Sequence, residues 1–136
     1  MTLLEFVQRH IKTRVDFDGA YGAQCVDLFR QYCKDVLGIP HTGAVAGAKD
    51  LVERYGDLPK EREHFALIKD RRNALRGDAA VWGATKGNPY GHVAIVLEAR
   101  PDVLTVFEQD GFEQDGAKLA ERSMGGVIGY LRKYPE

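Results

Sequence analysis

Near Pro59 the spacing of apolar residues changes from that of helices to that of strands. Before it, Leu3, Leu4, Val7 and Ile11 recur every three to four residues, with Thr2 placed to cap a helix over 2–13. The same period returns from Gln24 to Leu37 in Leu28, Phe29, Tyr32, Cys33, Val36 and Leu37, and Gly38-Ile39-Pro40 then stops it. A shorter helix is expected over Ala46–Tyr55, ending at Gly56. After Pro59 come short apolar runs divided by turn residues: 65–68, 78–82, 92–98, 103–108 and 127–131. Arg100-Pro101-Asp102 supplies the turn between the third and fourth runs. Helices first and strands afterwards predict an α+β domain, with N-terminal helices packed on an antiparallel sheet.

The 136 residues suit one domain, 1–136, and 44% hydrophobic with 29% charged residues is the balance of a globular chain that needs no disulfide staple. A formal net charge of -1 and the lack of a basic stripe argue against nucleic acid as a partner. Arg71-Arg72, with Lys69 and Arg76, alternates with Asp70 and Asp78 and reads as a solvated face. No apolar run approaches the ~20 residues of a membrane span. Glu5, Gln8 and Arg9 interrupt the stretch where a secretory leader would be apolar, so the expectation is a protein made in the cytoplasm, or a trimmed domain.

Cys25 and Cys33 fit neither a C-x-x-C redox pair nor a zinc knuckle. Cys25 falls at the start of a predicted helix, where free N–H groups favour negative charge and a nucleophilic sulfur is well placed. A packing cysteine is the other reading. That reading suits Cys33, in line with Phe29 and Val36; for Cys25, position leaves both open. Of the four histidines, His10, His41 and His64 read as surface residues, whereas His92 opens a strongly apolar strand and is held by rigid neighbours. A strand-end histidine without a role is the alternative. Glu108 ends the next strand, on one face with Leu104 and Val106, and a hairpin would bring it to the start of His92's strand. Strand ends also collect solvated glutamates. Phe107-Glu108-Gln109-Asp110-Gly111 is followed at once by an identical copy, Phe112 to Gly116, which leaves two registers open; Glu113 lacks a preceding strand and is the weaker candidate.

Asp16, Asp18, Ala20, Gly22 and Asp27 stand at positions 1, 3, 5, 7 and 12 of a loop, the spacing with which calcium loops converge oxygen ligands on a hard cation. Tyr21 replaces the usual glycine and Asp27 the usual glutamate, and acidic turn residues without metal are common. The chain has no H-E-x-x-H, G-x-S-x-G or Walker A motif, which disfavours a zinc peptidase, an elbow-type serine hydrolase and a P-loop enzyme.

Taken together, Asp16 through Leu28 resembles the nucleophile motif of CHAP domains, the cysteine- and histidine-dependent amidohydrolases/peptidases of phage endolysins. Gly77-Asp78-Ala79-Ala80-Val81-Trp82-Gly83 and Tyr90-Gly91-His92-Val93-Ala94-Ile95-Val96 are similar to that family's G-D-x-x-x-W and G-H-V-A-I-V elements. Val106 to Asp110 resembles its E-Q-N motif, and Gly129-Tyr130-Leu131-Arg132 its closing strand, so the likeness runs from about residue 14 to 132 in the family's order. The resemblance implies a papain-like α+β fold with Cys25 as nucleophile, His92 as base and Glu108 orienting the imidazole. It further implies that Gln24 and the Cys25 backbone N–H form an oxyanion hole, and that Asp16, Asp18, Asp27 and the carbonyls of Ala20 and Gly22 hold calcium in those members that bind it. Asp110 stands where the family usually has Asn, and a carboxylate cannot donate as an amide does. The implied substrate is bacterial peptidoglycan, met by a monomer or the catalytic module of a larger lysin, with no nucleic acid or membrane partner. Such a product is made in the host cytoplasm and reaches the wall with a holin or on a virion. The rival readings are an NlpC/P60-like peptidase, whose nucleophile usually lies in D-C-S-G rather than Gln24-Cys25-Val26-Asp27, and a non-catalytic calcium-binding virion module.

Overall fold

A computed structural model describes residues 1–19, 22–40 and 43–135. Helix α1 (Leu3–His10) starts at a reciprocal cap: Thr2 Oγ1 accepts from Glu5 N, and Glu5 Oε1 accepts from Thr2 N. Helix α2 (Cys25–Tyr32) runs on into a π-type turn over Cys33–Leu37 and ends at Gly38, whose φ of 68° is the left-handed stop expected of that glycine. The third helix is shorter than its pattern suggests. Asp50 accepts from Gly47 N and Lys49 N donates to Tyr90 O, so residues 46–49 are spent on turns and α3 covers only Asp50–Glu53. Helix α4 (Pro59–His64) was not expected; it is one polar turn and a half, with proline at its first position and too few apolar residues to show a period.

Six strands follow: β1 (Phe65–Ile68), β2 (Ala79–Trp82), β3 (His92–Arg100), β4 (Val103–Glu108), β5 (Lys118–Ser123) and β6 (Val127–Lys133). They form one antiparallel sheet in the order β1-β6-β2-β3-β4-β5. Strand β5 is the second surprise. Its sequence, Lys118-Leu119-Ala120-Glu121-Arg122-Ser123, alternates half-buried with exposed residues and carries charge on both faces, as edge strands do.

One face of the sheet takes the helices: Phe29 of α2 and Leu51 of α3 pack on Phe65, Val81, Val93 and Leu131, while Phe6 of α1 and Leu28 of α2 pack on Ile95 and Phe107. Phe6 meets the Phe107 ring edge-on at 6.0 Å. The other face is also sealed, by Ala94, Val96, Leu104, Val106 and Tyr130, with Ala74 from the 69–78 loop packed against them. Asp78 pins that loop. It is 2% exposed, accepts from Leu75 N, and pairs with Arg132 Nε and Nη2 at 2.9 and 2.8 Å. The sheet is thus packed on both faces, and α2 lies against β3.

Candidate active site

Residue 24 caps α2 in extended backbone, and Asp27 reaches back to accept from its N–H at 2.9 Å. Cys25 is therefore the first helical residue, half-buried, and it lines a cleft of about 490 Å³ together with Gln24, His92 and Asp110. Cys33 is buried, and burial pushes its thiol up to about 12, which suits packing rather than chemistry.

His92 opens β3 opposite Trp82 of β2, the two rings 5.8 Å apart. Two glycines let the chain close here. Gly91 has φ of 76°, and a Cβ on it would lie 2.5 Å from Trp82 O; one on Gly47 would lie 2.7 Å from Tyr90 O. The pairing of Ile95 with Phe107 sets Glu108 opposite Ala94 and on His92's face of the sheet. Glu108 Oε1 lies 3.2 Å from His92 Nε2, which leaves Nδ1 as the ring nitrogen for the sulfur. Cys25 and His92 line the same cleft, and the sulfur acts on the ring from there as Glu108 does through its hydrogen bond. Burial works against charge on His92, but those interactions and the negative charge of Cys25 and Glu108 outweigh it and raise the ring to about 9. Glu108 is 1% exposed, and burial alone would raise it; hydrogen bonds from Arg122 and His92 instead hold it at about 2. Sulfur and imidazole, from α2 and β3, thus share one cleft, and the carboxylate from β4 is bonded to the ring.

The remaining expected residues sort by place. Gln24 is exposed beside Cys25, its side chain against Gly111. Asp110 lines the same cleft, and its Oδ1 accepts from Phe112 N at 2.8 Å, capping the turn that follows β4. Carboxylate oxygens of Asp16, Asp18 and Asp27 lie within 4.8 Å of one another. Burial, then the charges of Asp18 and Asp16, push Asp27 up to about 6. Gly22 is part of the same loop, with φ of 75°, packed on the Gln114 side chain. Ala20 and His41 lie outside the described residues. His64 closes α4, away from the cleft. His10 departs from expectation: it is drawn against Phe6 at 4.7 Å and towards Asp35, because the last turn of α1 folds onto the core rather than into solvent.

Three neighbours of these residues carried no role in the sequence reading. Gln109 is fully buried: its Oε1 accepts from Val15 N, and its Nε2 donates to Val15 O and Gln24 O at 2.7 and 2.8 Å. Gln114 grips Ala23 in the same two-handed way. Arg122 bonds Glu108 through Nε and, at 2.7 Å, Nη2. The repeat could have flagged the two glutamines. Arg122 lay in a strand without an apolar pattern.

The CHAP domain family model matches residues 14–110, which takes in the Cys25, His92 and Glu108 positions in order. The chain belongs to the CHAP family. It is 29% identical over 140 residues to endolysin PlyTW of Staphylococcus phage Twort, covering 93% of this chain and 28% of that protein. Over 100 residues it is 32% identical to the D-alanyl-L-alanine endopeptidase of Streptococcus phage B30, covering 69% of this chain and 21% of that one. The chain therefore spans under a third of the length of these curated relatives. Among solved structures, the endolysin LysIME-EF1 superposes with a TM-score of 0.67 at 23% identity, over 95% of this chain and 61% of that one. An N-acetylmuramoyl-L-alanine amidase from Staphylococcus aureus gives 0.58 at 17% identity, over 90% of this CHAP chain and 34% of its own. The fold is α+β and papain-like. Among the described residues no helix is long and apolar enough to cross a membrane.

Proposed function

We propose that this CHAP domain hydrolyses an amide or peptide bond of bacterial peptidoglycan through an acyl-enzyme on Cys25, as the catalytic part of a phage lysin. The observation that carries the reading is that Cys25 and His92 line one cleft while the His92 ring is bonded to the buried Glu108 carboxylate at 3.2 Å. An imidazole held at about 9 is protonated at neutral pH, so it faces the sulfur as a cation and has a proton to give. Cys25 attacks the carbonyl carbon, and the oxyanion forms beside Gln24 and the Cys25 N–H. His92 passes its proton to the leaving amine, whose bond to the acyl carbon breaks. Water then adds to the thioester with His92 as base, and the acid product leaves with Cys25 restored. Glu108 keeps the ring oriented throughout.

Cys25→Ala should abolish clearing of susceptible cells or purified walls and keep the wild-type melting temperature. Full lysis by that variant would remove Cys25 as nucleophile. The relatives are named for an endopeptidase and for an amidase. Mass spectrometry of digested walls assigns the bond, since a new N-terminal alanine on a lactyl-free stem marks the amidase and a cut stem or bridge marks the endopeptidase.

Calcium at the loop before α2 belongs to the same proposal. The convergence of three carboxylates, and the upward push on Asp27 that a dication would relieve, fit a hard cation. Asp16, Asp18 and Asp27 would hold it, with carbonyls from Ala20 and Gly22. Its chemistry there would be structural, tying the loop to the helix that starts at Cys25. Chelation should lower the melting temperature and calcium should restore it; indifference to both would leave the loop a plain acidic turn.

A further inference from the structure

We propose that Arg122 is a positioning residue of this site, fixing Glu108 as the hydrogen-bond acceptor that orients the His92 ring. The proposal rests on the hydrolase reading of Cys25, His92 and Glu108 and adds to it a residue from the edge strand β5.

A carboxylate that is 1% exposed has lost its water and must be met by donors. His92 Nε2 reaches one oxygen at 3.2 Å, long for a charge-assisted bond. Arg122 reaches both: Nε bonds Oε1, the oxygen that His92 shares, and Nη2 bonds Oε2 at 2.7 Å. A planar fork on two oxygens fixes the plane of the carboxylate, which a point charge does not. The direction in which Oε1 faces the imidazole is therefore set from β5. The same strand holds the ring's other neighbour. Trp82 Nε1 donates to Ser123 O at 3.2 Å, the Arg122 guanidinium lies 5.8 Å from the Trp82 ring, and that ring lies 5.8 Å from His92.

The charged groups around Glu108 come from each element packed on it. His92 comes from β3 and Arg122 from β5; the Cys25 thiol of α2 and Asp110 of the turn after β4 act on Arg122. Lys118, opposite Glu108 in the register, turns away to Glu113 and Asp115. Asp110 cannot donate to Glu108, and its charge attracts Arg122. Without Arg122 the buried carboxylate keeps one weak partner, so a proton competes for it at higher pH and the ring loses its fixed acceptor.

Arg122→Gln and Arg122→Lys test this through the pH dependence of wall lysis and through a nitrogen-15 titration of the His92 ring, which needs no substrate. The Gln variant should lose about tenfold or more in kcat with KM little changed. Its acid limb, and the matching step in the His92 resonances, should move up by about one pH unit. Lysine keeps the charge but not the fork, so it should restore the acid limb more fully than the rate. A folded Gln variant with the wild-type profile would overturn the proposal, as would one that loses activity while both pH curves stay in place. Should the Gln variant not fold, a Lys variant with wild-type rate and profile overturns it equally. If the unaltered protein lyses no wall, the hydrolase reading fails, and the imidazole titration still decides the role of Arg122.

Discussion

Residues 107–111 and 112–116 spell the same five residues, and the fold treats them as opposites. In the first copy Phe107, Glu108 and Gln109 are at most 1% exposed; in the second Phe112 is 66% exposed and Glu113 pairs with Lys118 at the surface. The difference lies upstream. Val103–Val106 are held between β3 and β5, so alternation carries Phe107 under the helices and Glu108 to His92. The second copy follows Asp110 and Gly111 into a turn, with no ladder to impose a face. Only the glutamines behave alike, each clamping backbone just before Cys25. A side chain's chemistry is here a property of the strand that delivers it rather than of its five-residue context.

The comparison breaks most sharply on activity. Glu108→Gln keeps the shape but loses the charge that orients and supports the imidazolium, so lysis should fall by about a thousandfold, while Glu113→Gln should stay within about twofold. Equal losses in a turbidity assay would remove the contrast between the copies, and a loss confined to Glu113→Gln would mean that the second copy, not the first, serves His92. Stability separates the copies next. Phe107→Ala empties a site between Phe6 and the sheet and should cost about 3–5 kcal/mol in urea denaturation. Phe112→Ala should change stability by less than about 0.5 kcal/mol. A Phe112 cost as large as that of Phe107 would show that the exposed ring is packed in solution.

The two halves of the chain were unequally legible. Period and stop signals gave α1, α2 and the apolar strands, because burial of one face writes itself into spacing. Motif order singled out Cys25, His92 and Glu108, and the hairpin pairing of β3 with β4 follows from the Pro101-Asp102 turn. Strand β5 was not legible: its inner positions are Lys118, Ala120 and Arg122, which make contacts rather than a core stripe. With it went Arg122. Helix α4 is held by tertiary contact, its Glu61 buried against Arg30 at 3.2 Å, and no local pattern announces that pair. The Ala46–Tyr55 helix was overdrawn because docking onto Tyr90 consumes its first turn.

The smallest effect separating the copies is a slope. Glu108 is held at about 2 in the folded protein, against an ordinary 4.5, because Arg122 and His92 bond its charged form. A depressed carboxyl adds stability that is fully present above its unfolded value and is lost as pH falls through its folded one. Between about pH 4.5 and 2, then, the unfolded chain takes up a proton that the folded one refuses. The contribution to the slope of unfolding free energy is at most about 1.4 kcal/mol per pH unit. Urea denaturation from pH 5 down to pH 3 should show this slope reduced in Glu108→Gln and retained in Glu113→Gln, whose carboxylate meets Lys118 in solvent. If Glu108→Gln kept the full slope, the proton uptake would belong to other carboxylates, and the buried pairing of Glu108 with Arg122 would not be what the acid range reads.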